Sequence, residues 1–254
     1  MRDERGAGLL LVLLAILLLS ALGLSLVMAA IGDSLASGNV RASREMLYAA
    51  DAGIERALPD LQRAPDWDLV LSGAVTSGFT DGAPAGPRLL PDGRPVVLDE
   101  LVNLANCGQR AACDTAAMAG VSEERPWGAD NPRWRLFAWG PFSALAGPGA
   151  LGYLVVMVAD DPLDGDGDPG HDSPGMTPGR GVLLLRAQAY GTGGASRVIE
   201  AAVARTNRLP APEGYTGQRG GTGHTTGAPV AGVAAGEAGV ARSQVTLTQG
   251  EAAR

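Results

Sequence analysis

The chain has 254 residues, 46% hydrophobic and 19% charged, with 20 basic against 27 acidic residues and a net charge of −7. This is enough apolar material for one sizeable core in one or two domains. The acidic balance argues against nucleic acid as a partner, because no surplus of positive charge is present to displace counterions. With two His and two Cys, zinc ribbons, haem-attachment motifs and His-rich metal clusters are excluded.

The first predicted element is the longest. Residues 7–31 contain no charged side chain and are mostly Leu, Val, Ile and Ala. As a helix they reach about 38 Å, enough to cross a hydrocarbon core of about 30 Å with some tilt. A cleaved secretory signal has a shorter apolar region ending in small residues, and Ala29-Ala30-Ile31-Gly32 matches that ending poorly. Residues 7–32 are therefore expected to be a retained transmembrane helix. Arg2 and Arg5 before it are balanced by Arg41 and Arg44 after it, so flanking charge does not orient it. The six-residue head and the Cys pair further on favour a body outside the cytoplasm.

Beyond the apolar run, Val40, Leu47, Ile54 and Leu61 recur every seven residues, with Ser43, Ala50 and Ala57 three positions after the first three. That pattern predicts a narrow apolar stripe on an amphipathic continuation of the helix over 33–63. Small residues in the stripe allow close approach of another backbone. Pro59 and Pro65 are expected to end it near Leu58, because proline removes a backbone donor. The helix from Ala7 to Leu58 would be ~78 Å long.

Residues 65–93 are rich in Pro, Gly and Asp and read as loop with one short turn. Strands are predicted over 133–139, 151–159, 181–190 and 197–205. In the third, Leu183, Leu185, Ala187 and Ala189 share a face, with Arg186 and Gln188 opposite; in the fourth, Ile199, Ala201 and Val203 do so. The Gly-rich linker 191–196 suits a hairpin. Together they predict an antiparallel sheet whose apolar face covers the helix stripe, in an extracytoplasmic body over 64–209. Residues 210–254, rich in Gly, Ala and Thr, read as a flexible tail with one strand-like scrap at 245–248.

Cys107 and Cys113 are the only cysteines and are expected to pair, closing a small loop worth somewhat less than about 3 kcal/mol. Asp164, Asp166, Asp168 and Asp172 fall at positions 1, 3, 5 and 9 of an EF-hand-like spacing. Pro169 stands where that loop wants Gly, and Gly175 where it wants the bidentate Glu. What remains is an Asp-rich loop able to offer carboxylates to Ca²⁺, against the alternative of a solvated acidic turn. Trp127, Trp134, Phe137, Trp139 and Phe142 are read as packing residues before a sugar or peptide groove. Asp51 and Glu55 lie one helical turn apart but read as solvated or Arg-paired groups. No nucleophile elbow, P-loop or His-Glu-x-x-His is present, so no catalytic activity is expected.

The head, Glu4-Arg5-Gly6-Ala7-Gly8-Leu9-Leu10-Leu11, resembles the class III signal of type IV pilins and type II secretion pseudopilins. The stretch 46–58, Met-Leu-Tyr-Ala-Ala-Asp-Ala-Gly-Ile-Glu-Arg-Ala-Leu, is similar to the segment that follows the anchor in PilX-type minor pilins. The resemblance covers residues 1–63. It implies cleavage by a prepilin peptidase after Gly6, leaving Ala7 as an N-methylated terminus. Most major pilins have Glu at the fifth mature position, where this chain has Leu11; PilX-type minor pilins and K-class pseudopilins also lack it. The implied fold is α+β, a long N-terminal membrane-spanning helix packed on an antiparallel sheet. The implied role is that of a minor pilin, held in the inner membrane and then placed in a type IV pilus. Its partners would be other major and minor pilins through the helix stripe (Leu11, Val40, Leu47, Ile54, Leu61), the inner-membrane assembly platform and lipid. The alternatives are a type II secretion pseudopilin and a membrane-anchored, calcium-dependent adhesion module.

Overall fold

A computed structural model describes residues 5–163, 165, 167–172, 181–205 and 240–248. Helix α1 (Arg5–Arg63) contributes to two compact units, Met1–Arg44 and Glu45–Arg254. Within the first, apolar side chains are exposed on every side of the helix: Leu11, Leu17 and Leu26 are 68%, 71% and 70% accessible. Within the second, one face of the helix is buried.

That buried face is Met46, Ala49, Ala50, Ile54, Ala57 and Leu61, a three-and-four spacing that keeps one side of a 3.6-residue helix against the core. Helix α1 runs through Pro59, past its expected end at Leu58. A proline there forfeits one backbone hydrogen bond at a cost of about 3 kcal/mol. The last turn persists because Leu61 is fully buried and because Asp60 is bonded to both Arg56 and Arg63, at 2.8 and 3.0 Å.

Residues 65–97, expected as loop over most of their length, hold more structure than their composition suggests. They form α2 (Asp68–Leu71) and a two-stranded ribbon of β1 (Pro87–Leu89) and β2 (Pro95–Val97). A ten-residue helix, α3 (Leu98–Cys107), follows directly, then one turn of α4 (Thr115–Met118). The main sheet is built from β3 (Arg135–Pro141), β4 (Tyr153–Asp160), β5 (Val182–Tyr190) and β6 (Ser196–Arg205), each antiparallel to the next. A single turn, α5 (Ser143–Ala146), lies between β3 and β4. Predicted strand bounds hold to within two residues, and the layout is α+β as expected.

Within the stretch read as tail, the strand is longer than the scrap expected at 245–248. β7 (Val240–Thr248) pairs antiparallel with β6 and extends the sheet to five strands. Composition averaged over 210–254 concealed a nine-residue segment able to pair with the open backbone groups of a sheet edge. The opposite edge, at β3, is also covered: Ser77 N–H donates to the Phe137 carbonyl and Trp139 N–H to the Phe79 carbonyl, at 2.8 and 3.0 Å.

The sheet is apolar on both faces, which explains why every residue of β4 is buried. On one face Leu154, Val156 and Val158 meet Leu183, Leu185, Ile199, Ala201 and Val203, together with the buried face of α1 from Met46 onward. On the other, Tyr153, Val155, Met157 and Ala159 pack with Leu90, Val96, Leu98, Trp134, Leu136 and Trp139. Strict alternation would put Phe137 and Ala138 on opposite faces. A register shift between Leu136 and Ala138 instead brings both into the α1-side core, the usual effect of a bulge.

Candidate functional site

The structure offers two surfaces with functional character, the apolar part of α1 and a cleft on the sheet face opposite the α1 packing. The described helix is long and apolar enough to span a membrane, with an 18-residue window of mean hydropathy 2.9. Gly6 and Ala7 fall in its first turn. Of the five stripe positions, Ile54 and Leu61 are fully buried in the body core, and Leu47 is half-buried against it. Leu11 and Val40, in the first unit, are exposed at 68% and 52%. The last three heptad positions thus face the body core, whereas Val40, and Leu11 from the family pattern, lie in the first unit.

Small residues set how closely α1 and the sheet approach within the body. A Cβ added at Gly53 would lie 2.9 Å from both Leu154 methyl carbons. Asp60 then fixes the segment that leaves the helix. Its carboxylate accepts from Arg56, Arg63, the Ser77 hydroxyl and the Gly78 N–H. Burial acts to raise its pKa, but the bonds from Ser77, Gly78 and Arg56 outweigh burial and hold it below the usual carboxylate value.

Cys107 and Cys113 form a disulfide. Cys107 is the last residue of α3, and Gly108 takes the left-handed conformation that caps it, φ 72°, donating its N–H to the Leu104 carbonyl at 3.0 Å. Further back in the same helix, Asn106 is buried and makes a reciprocal pair with the Trp134 backbone, at 3.0 and 2.7 Å. These bonds tie α3 to the entry of β3.

Between this helix and the outer faces of β5 and β6 lies a cleft of about 730 Å³. Trp127 and Trp134 line one side of it; Arg186 of β5 and Glu200 of β6 line the other. The latter two are register partners and form an ion pair. Arg125, in the wall, donates to the carbonyls of Ala105, Met118 and Pro132 at 2.7, 3.0 and 3.2 Å. It has no carboxylate partner among the described residues, and burial pushes its pKa down. Of the predicted aromatic set, Phe137, Trp139 and Trp134 are core residues, Phe142 packs at the core edge, and Trp127 remains 39% exposed. The cleft was not expected from the sequence. Its one available signal was the hairpin register, which places Arg186 opposite Glu200.

Asp164 and Asp166 of the Asp-rich loop lie outside the described residues. Asp168 accepts the Gly170 N–H at 3.1 Å. Asp172 donates its N–H to Asp68 at 2.7 Å, and His171 Nδ1 lies 3.0 Å from the same carboxylate. Among the described residues no group of three or more His, Cys, Asp or Glu side chains is placed to hold a metal ion. No protein-family model, curated protein or solved structure matches the chain.

Proposed function

We propose that this chain is a minor pilin, a structural and assembly subunit that waits in the inner membrane and is then incorporated into, or at the tip of, a type IV pilus. The observation that supports this most strongly is a change in the character of one helix. It is apolar all round over its first part and over its last carries one narrow buried face, in which small residues alternate with Met46, Ile54 and Leu61, seated on an antiparallel sheet.

Side chains exposed like those of residues 9–31 need an apolar surrounding. Lipid supplies it before assembly, and the helices of neighbouring pilins supply it afterwards. Because lipid is as apolar as the helices, exchange between these surroundings is governed by packing rather than by hydrophobic transfer. Gly8, Gly23 and Gly32, where an added Cβ would meet nothing in this chain, leave room for that packing. Leu11 cannot accept the amine of an adjoining subunit, which suits an initiating or terminal position. The disulfide suits an oxidising compartment and so a body outside the cytoplasm, with the prepilin peptidase acting at Gly6 on the other side.

The test is incorporation. Filaments sheared from cells producing the native chain should contain it, whereas a Leu47→Asp, Ile54→Asp double variant should be absent from them. Recovery of the native chain in membranes alone, with sheared filaments free of it and piliation unchanged on its deletion, would defeat the proposal.

A further inference from the structure

The cleft beside α3 has a composition unlike that of a packing gap. Its volume of about 730 Å³ falls in the range of ~300–1,000 Å³ common to small-molecule sites. Its apolar surface includes Trp127, a large aromatic left 39% exposed with a ring free to pack against a ligand. Its polar surface is fixed. Arg186 and Glu200 are held by register and by each other, presenting donors and acceptors side by side. Arg125 is clamped by three main-chain carbonyls, and its charge is not offset by a carboxylate partner among the described residues. The wall that carries Arg125 and Trp127 is braced by Asn131, which accepts the Trp127 N–H at 3.1 Å and donates to the Met118 and Gly120 carbonyls at 3.2 and 2.8 Å, so little ordering would be required on binding.

We propose that this cleft binds a short oligosaccharide bearing a carboxylate. A pyranose ring has one face of C–H groups, which lies against an indole, and a rim of adjacent hydroxyls, each a donor and an acceptor. The Arg186–Glu200 pair matches such hydroxyls because it offers both functions side by side. Arg125 adds a fixed positive potential, which favours an acidic over a neutral sugar. An apolar peptide fits less well, since it would strip water from the ion pair without replacing the lost hydrogen bonds. A polyphosphate is disfavoured because its several negative charges meet Glu124 and Glu200 as well as the two arginines of the lining, whereas a single carboxylate needs only the one charge of Arg125. The inference concerns the body alone and does not depend on how the apolar helix is used.

The experiment is titration of the full chain in detergent, followed by tryptophan fluorescence and calorimetry, with two matched pairs of probes. These are sialyllactose against lactose, and trigalacturonate against its methyl ester. At least one acidic probe should bind saturably, and its neutral counterpart about tenfold more weakly, equivalent to about 1.4 kcal/mol. Trp127→Ala should weaken the acidic probe by about tenfold with the melting temperature unchanged. Arg186→Gln, which removes the hydroxyl-facing donor and a positive charge from the lining, should weaken it comparably and serves if the first variant does not fold. Failure of both acidic probes to bind, equal binding of acidic and neutral members, or native affinity in the variants would overturn the proposal.

Discussion

The two parts of α1 make an instructive pair. Leu17 and Leu61 are the same residue in the same helix, yet one is 71% exposed and the other fully buried. Hydrophobicity is higher in the first part, so apolar content alone does not determine where a side chain is buried. The difference is the partner surface. From Met46 onward the helix meets a sheet whose facing residues are Leu, Val, Ile and Ala, and Ala50, Gly53 and Ala57 let the two surfaces come close. Uniform apolarity in the first part instead suits a surrounding without direction, such as lipid or a ring of similar helices.

Four tests sharpen this contrast, beginning with the largest effect. Ile54→Asp should place an unpaired carboxylate between α1 and the sheet, costing at least about 4 kcal/mol or unfolding the body; denaturant titration of the full chain in detergent reads it directly. Leu61→Ala should cost about 2–5 kcal/mol in the same assay, while Leu17→Ala should shift stability by less than about 0.5 kcal/mol. Equal effects at the two leucines would erase the distinction between them. Replacing both Cys107 and Cys113 with Ser should remove about 2 kcal/mol, the chain-entropy value for so short a loop, while leaving the helix–sheet packing intact by near-ultraviolet circular dichroism.

The smallest effect is in pH. The folded-state pKa of Asp60 is lowered, so its contribution to stability is fully present above the unfolded value of about 3.9 and is lost as pH falls through the folded value. Melting temperature should therefore fall on acidification below about pH 4. Asp60→Asn should lower the melting temperature at neutral pH and flatten that acid-side fall. An unchanged acid limb in the variant would show that Asp60 does not contribute to it.

Strands were the most legible part of the fold. Alternation in β5 and β6 identified the inward residues Leu183, Leu185, Ala187, Ile199, Ala201 and Val203, because one side of that hairpin faces the core and the other is less buried. β4 gave only an unbroken apolar run, since it is covered on both faces. The outer layer was largely illegible. β1 and β2 have three residues each and contain Pro87 and Pro95, so their pairing comes from tertiary contact rather than from local preference. α3 starts without a side-chain cap, which removed its usual starting signal. β7 was hidden for another reason, as a short alternating segment within a Gly-rich stretch. In the candidate sites, individual residues were visible, but their grouping was not. Trp127, Arg186 and Glu200 are far apart in sequence, and only the register of β5 on β6 together with the position of α3 brings them to one cleft.

The claim that the apolar part of α1 is kept, not discarded, is tested most directly by the intact mass of the chain extracted from membranes of its own host. A polypeptide beginning at Ala7, heavier by one methyl group, is the predicted result. A polypeptide beginning near residue 33 would contradict it.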